Sequence, residues 1–268
     1  MGTFLGHIYP GLFIALIALR NLWIELRSFY TEEYNHNQLK SKNDLKNNLR
    51  ESIFYIVTGI ICSLNEILPC LIYDEYYFGG HSYQHMTIFI ALILYGVIRI
   101  IVSYKLPLLS KQISDFFYLL MGSAIYFMLT FHLHGRTPFD THVHNILIQT
   151  ILFTTISYFV EIISNSNLIF SLIHKFCLIL TGSWLCQIGF YLYPPWSWLT
   201  VWDQNDIKSI IHANNIFSYH MIMICLTIII MMSILSWKNR RTIQLSHRFS
   251  SEHNLQRSSV KQFCSMTS

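Results

Sequence analysis

Residues 84–102 read QHMTIFIALILYGVIRIIV, with Arg99 the only Lys, Arg, Asp or Glu among them. A helix needs about 20 predominantly apolar residues to cross ~30 Å of hydrocarbon, and this run meets that length. It is continuously apolar instead of alternating, so it reads as a spanning helix and not as a strand of a membrane barrel. Working outward, comparable runs fall near residues 4–24, 52–72, 113–131, 142–163, 172–193 and 214–236. The first run has no basic residue ahead of it and exceeds the apolar core of a secretory signal, so it is read as a span.

The composition agrees with this reading. Of 268 residues, 53% are hydrophobic and only 12% charged, with a mean hydropathy of +0.40, which is too apolar for an ordinary soluble domain. The expected fold class is all-α: a polytopic membrane protein built as a bundle of seven transmembrane helices. Residues 1–237 form that domain, and the polar, basic, serine-rich residues 238–268 are expected to be a disordered cytoplasmic tail.

Lys and Arg near helix ends are retained in the cytoplasm during insertion. They crowd after the first run (Arg27, Lys40, Lys42, Lys46, Arg50), after the third (Lys105, Lys111), before the sixth (Lys175) and beyond Trp237. The opposite loops hold Arg136 and Lys208, while Arg20 and Arg99 sit where long side chains snorkel to the inner interface. This predicts a lumenal or extracellular N-terminus, a cytoplasmic C-terminus and membrane lipids as the surrounding partner. The net charge of +4 follows from topology and implies no nucleic acid. The six cysteines show no CxxC spacing; Cys70 and Cys186 lie in outward halves where a disulfide is conceivable, and Cys264 is a weak acylation candidate.

Topology also sorts the thirteen histidines. His7, His81, His85, His132, His134, His142, His144, His212 and His220 fall at the outer side. His36, His174, His247 and His253 fall inside, in or beside polar loops, where solvated histidine is expected. Glu66, Gln187 and His220 each lie about six residues from the outer ends of their runs, roughly 9 Å deep at 1.5 Å per residue. With His85 and His144 near the starts of theirs, they predict an outward-facing pocket. Glu66 is the most informative residue, because a carboxylate in hydrocarbon is expensive and faces a partner or a water-filled cavity. The plain alternative is a protonated Glu hydrogen-bonded between helices.

The segment FHLHGRTPFDTHVH, residues 131–144, turns through Gly135 and Pro138. Asp140 and His144, four apart, share a helix face, whereas His142 points elsewhere; Asp140 is also placed to cap the fifth helix. His81 and His85 have the same permissive spacing. The expected ligand pocket therefore comprises Glu66, His85, His134, Asp140, His144, Trp184, Gln187 and His220. Imidazole and carboxylate are good zinc ligands, which gives His85, His144, His220 and Glu66 as the candidate metal set; haem ranks below zinc. The plain reading of these rings is an interfacial belt bonded to loop carbonyls.

The chain resembles the transmembrane protein 45 family through Gly2-Thr3-Phe4-Leu5-Gly6-His7 with Pro10-Gly11, Tyr83-Gln84-His85, the His132–His144 segment, Trp184 with Gln187-Ile188-Gly189-Phe190, Tyr193-Pro194-Pro195 and Tyr219-His220. That family often has Asp where Thr137 stands and an aromatic residue where Cys186 stands. The resemblance implies a multi-pass protein of secretory or surface membranes with no settled reaction.

Two functions fit this sequence. One is a non-enzymatic membrane protein whose pocket binds a metal ion, proton or small ligand in trafficking or signalling. The other is a zinc-dependent membrane lipid hydrolase in which Glu66 or Asp140 activates water. A transporter would show an inverted repeat or polar residues through both halves, and the inner halves read as nearly uncharged.

Overall fold

The computed structural model describes residues 3–32, 40–72, 80–104, 111–131, 133–164, 167–198 and 201–266; at 31–32, 40–47, 69–70, 72, 80–82, 111 and 242–266 it describes the backbone alone. Seven helices follow in order: α1 (Phe4–Glu32), α2 (Lys40–Ile72), α3 (Gly80–Ser103), α4 (Lys111–Phe131), α5 (Pro138–Ile163), α6 (Leu168–Leu192) and α7 (Ile207–Met266). There is no strand among the described residues. Each helix contains a stretch long and apolar enough to cross a membrane, so the protein is an all-helical, multi-pass membrane protein.

From α2 onward the helices start earlier than the apolar runs suggest, because polar first turns are silent in hydropathy. α5 begins at Pro138 because Thr137 is its N-cap, with its side chain accepting from the Asp140 amide at 3.4 Å and Pro138 fitting the first turn. The cap is thus Thr137 and not Asp140, which lies in the first turn. α6 begins at Leu168 because the Asn167 side chain accepts from the Ile169 amide at 3.0 Å. At the other end of the chain, α7 continues through the basic segment that composition alone assigns to a disordered tail; residues 238–266 contain neither proline nor glycine to stop it.

The chain forms two compact units, one of Met1–Leu22 with Asn37–Cys225 and the other of Trp23–His36 with Leu226–Ser268. The first contains the residues of the site described below. Within it α2 packs on α3, α3 on α4, α4 on α5 and α5 on α6. α1 meets α6 main chain to main chain: a Cβ on Gly11 would lie 2.8 Å from the Gly182 carbonyl oxygen, and one on Gly182 2.6 Å from the Ala15 nitrogen. Small residues allow such approach in lipid, where close packing replaces the hydrophobic drive between helices. Gly59 and Gly96 do the same for α2 and α3, with the Phe89 and Ser52 carbonyls 2.9 and 2.8 Å from the positions their Cβ atoms would take.

Two apolar clusters lie within the unit among the described residues. Phe139, Val143, Leu147, Trp184, Ile188, Tyr191 and Ala213 lock α5, α6 and the start of α7. Phe13, Ile17, Tyr55, Tyr95 and Tyr118 join α1 to α4 from within.

Candidate functional site

Between these clusters lies a cavity of about 200 Å³ lined by α1 through α6. Its walls are mainly apolar: Pro10, Phe13, Ile14, Phe89, Leu92, Met121, Ile125, Leu147, Ile151 and Leu185 all face it. Along α1 it runs from Thr3 to Ile17, about 21 Å of helix at 1.5 Å per residue. Thr3, His7, Glu66, His85, Arg136 and His144 line one end, and Tyr55 and Tyr118 lie toward the other.

The polar end is built from three anchored histidines. His85 Nδ1 lies 2.8 Å from Glu66 Oε1, joining α3 to α2. His144 Nδ1 lies 2.7 Å from Asp140 Oδ1 and 3.0 Å from the Asp140 carbonyl oxygen one turn back on α5. Arg136 donates to both Asp140 oxygens, at 2.8 and 2.9 Å, so the same carboxylate fixes the loop cation and the ring. On α1, His7 Nδ1 lies 2.9 Å from the Thr3 carbonyl oxygen, and its ring meets the His144 ring edge to face at 5.8 Å. His7 belongs to the cavity although its depth in the sequence gives no sign of it. Its presence depends on the glycine contact that draws α1 onto α6.

Of the residues expected to share one pocket, Glu66, His85 and His144 line the cavity and Asp140 holds His144 from behind. Trp184, Gln187, His134 and His220 are not among its lining residues. The cavity face of α6 carries Leu178, Thr181 and Leu185; Gln187, two residues past Leu185, falls on the far side of the helix. Trp184 is fully buried in the neighbouring apolar cluster, its indole N–H donating to the Val143 carbonyl at 3.0 Å. His134 is exposed in the turn, with Nδ1 3.0 Å from the Phe131 carbonyl oxygen.

His220 stands apart because α7 starts at Ile207, seven residues before the apolar run, which places it about 20 Å into the helix. There its Nδ1 meets the Ser183 hydroxyl at 3.0 Å and its ring meets Trp184 at 5.9 Å. His142 turns away to the Asn214 side-chain oxygen at 2.8 Å, as its spacing from His144 predicts. Among the described residues, no group of three or more His, Cys, Asp or Glu side chains is placed to hold a metal ion. The side chains of His36, His81, His132, His247, His253, Cys70 and Cys264 lie outside the described residues; Cys186 is a free thiol.

The half of the unit away from the polar end of the cavity is more polar than its sequence suggests. Glu51 on α2 takes Arg99 of α3 at 2.6 Å and Arg20 of α1 at 3.0 Å. His174, expected to be solvated beside a loop, is 3% exposed. Its Nδ1 lies 2.7 Å from Glu161 Oε2, and the Tyr118 hydroxyl meets its Nε2 at 3.1 Å. Lys175 stands 3.7 Å from the other Glu161 oxygen, and Tyr158 donates to Asp115 at 2.7 Å. The sequence signal was present: Glu161 and His174 both fall inside apolar runs and flank a short turn.

A family model described as a family of unknown function, DUF716, matches residues 112–233, which covers α4 to the membrane part of α7. The chain is 25% identical over 238 residues to transmembrane epididymal protein 1 of Rattus norvegicus, covering 82% of this chain and 76% of that protein. It is 24% identical over 240 residues to transmembrane epididymal protein 1A of Mus musculus, with the same coverage of 82% and 76%. Against transmembrane epididymal protein 1 of Homo sapiens it is 26% identical over 171 residues, 62% of this chain and 60% of that one. These similarities agree with a multi-pass membrane protein and assign no reaction.

Proposed function

We propose that this protein is a non-enzymatic, ligand-binding membrane protein of the transmembrane protein 45 type, in which the six-helix cavity holds a small, mostly apolar molecule and supports trafficking or signalling. Its N-terminus faces the lumen or exterior and its C-terminus the cytoplasm, in secretory or plasma membranes. The observation that carries the reading is the cavity of about 200 Å³, with apolar walls and one polar end. Binding sites for small molecules share that form, with a few placed polar groups fixing orientation.

The zinc hydrolase reading has less support. Its candidate ligands are divided, with His220 at Ser183 and Trp184 and the others along the cavity. A catalytic zinc takes three protein ligands and leaves one open position.

The test is mass spectrometry of molecules that co-purify with the full-length chain, compared with Met121→Trp and Leu92→Trp, each of which fills the cavity from a different wall. The expected result is a small amphiphile retained by the parent and lost from both variants. The same molecules in all three preparations would overturn the reading.

A further inference from the structure

At the polar end of the cavity, His7 and His144 are 8% and 4% exposed. Each has its Nδ1 set against oxygen: the Thr3 carbonyl for His7, the Asp140 carbonyl and carboxylate for His144. A carbonyl oxygen accepts and cannot donate, so in each neutral ring the proton sits on Nδ1 and the lone pair on Nε2. Neither Nε2 has a hydrogen-bond partner among the described residues, and both rings line the cavity. The cavity thus presents two acceptors from separate helices on rings whose centres are 5.8 Å apart.

The charges at this end exclude one common head group. Arg136, the one guanidinium lining the cavity among the described residues, is already taken up by Asp140, and Glu66 lines the same end. A ligand carboxylate would join two protein carboxylates and meet two lone pairs. A protonated amine would have to shed its hydration in a largely apolar chamber. A neutral hydroxyl donates one hydrogen bond and brings no charge.

We infer that the cavity selects an apolar molecule with a hydroxyl head group, which donates to Nε2 of His7 or His144 while its hydrocarbon body lies along Phe13, Leu92 and Ile151. This rests on the ligand-binding reading above and names the ligand class.

The test is saturation binding of tritiated 1-decanol to the full-length chain in lipid nanodiscs, with empty nanodiscs subtracted and unlabelled competitors added. Decyl methyl ether, which cannot donate, is expected to compete about tenfold less well than decanol. His7→Asn and His144→Asn keep a donor at the Nδ1 position and delete the atom at Nε2. Together they are expected to lower decanol affinity to that of the ether, with the ether's own affinity unchanged as the sign of an intact cavity. Equal competition by ether and alcohol in the parent protein overturns the hydroxyl assignment and leaves the cavity reading standing. Tighter binding of decanoate or decylamine than of decanol overturns it in favour of a charged head group. No saturable binding by any of the four probes overturns the cavity reading and this inference together.

Discussion

His144 and His174 begin alike. Each is buried inside the unit, and each has its Nδ1 2.7 Å from a carboxylate carried by α5, Asp140 at its start and Glu161 near its end. They differ at the second nitrogen. Tyr118 closes the ring of His174 at Nε2, whereas the Nε2 of His144 has no hydrogen-bond partner among the described residues and its ring borders the cavity. Burial beside an acid therefore does not distinguish a staple from a site. A staple has every polar atom answered from within the protein, and a site keeps one unanswered.

The most severe way to break this comparison is to remove the acid at each end of α5. Glu161→Ala strands a buried imidazole and the Lys175 ammonium between α5 and α6, with an expected loss of about 3 kcal/mol in denaturant unfolding in micelles. Asp140→Ala is expected to lose less, because Asp140 is itself the more exposed acid, 18% against 12% for Glu161, while abolishing decanol selectivity. A larger loss for Asp140→Ala than for Glu161→Ala would reverse the assignment of staple and site.

Gly11→Val sharpens the contrast at intermediate cost. Its Cβ would lie 2.6 Å from Cys186 Sγ and 2.8 Å from the Gly182 carbonyl oxygen, so α1 must lift. Overpacking of this kind costs about 1–3 kcal/mol. The expected outcome is a lower thermal midpoint with loss of decanol binding, since His7 moves with α1. The Tyr118–His174–Glu161 chain, which α1 does not contribute to, is expected to keep its slow amide exchange.

The smallest effect is at the cap of α5. Thr137→Ala removes the acceptor for the Asp140 amide, worth about 1 kcal/mol, and Thr137→Asp keeps it. Hydrogen exchange at the Asp140 amide is expected to quicken in the first variant and not in the second, with exchange around Glu161 unchanged in both.

The spans were legible because each apolar run is long and unbroken, and the Asp140–His144 pair because its spacing is one helical turn. The convergence of Glu66 with His85 was legible from polar residues in the outer parts of consecutive helices. His220 misled because hydropathy sees α7 only from Asn214, although the helix starts at Ile207. Gln187 misled because depth without angle does not say which way a side chain faces. His174 and Glu51 were hidden by closeness to charged loops, which makes a buried residue look solvated. The part of His7 depends on Gly11 meeting Gly182, a contact between residues distant in the chain and silent in either neighbourhood.

That glycine contact also bears on how the molecule can breathe. Where two main chains touch without side chains between them, there is no rotamer through which to slide. α1 and α6 move as one plate, and α5 is pinned to it by the Trp184–Val143 and Thr154–Thr181 bonds. Gly59 and Gly96 weld α2 to α3 as a second plate. His7 and His144 both ride on the first, so the gauge between their two nitrogens is set before a guest arrives. The Glu66–His85 pair rides on the second, and whatever play the chamber has is taken up along the seams between the plates.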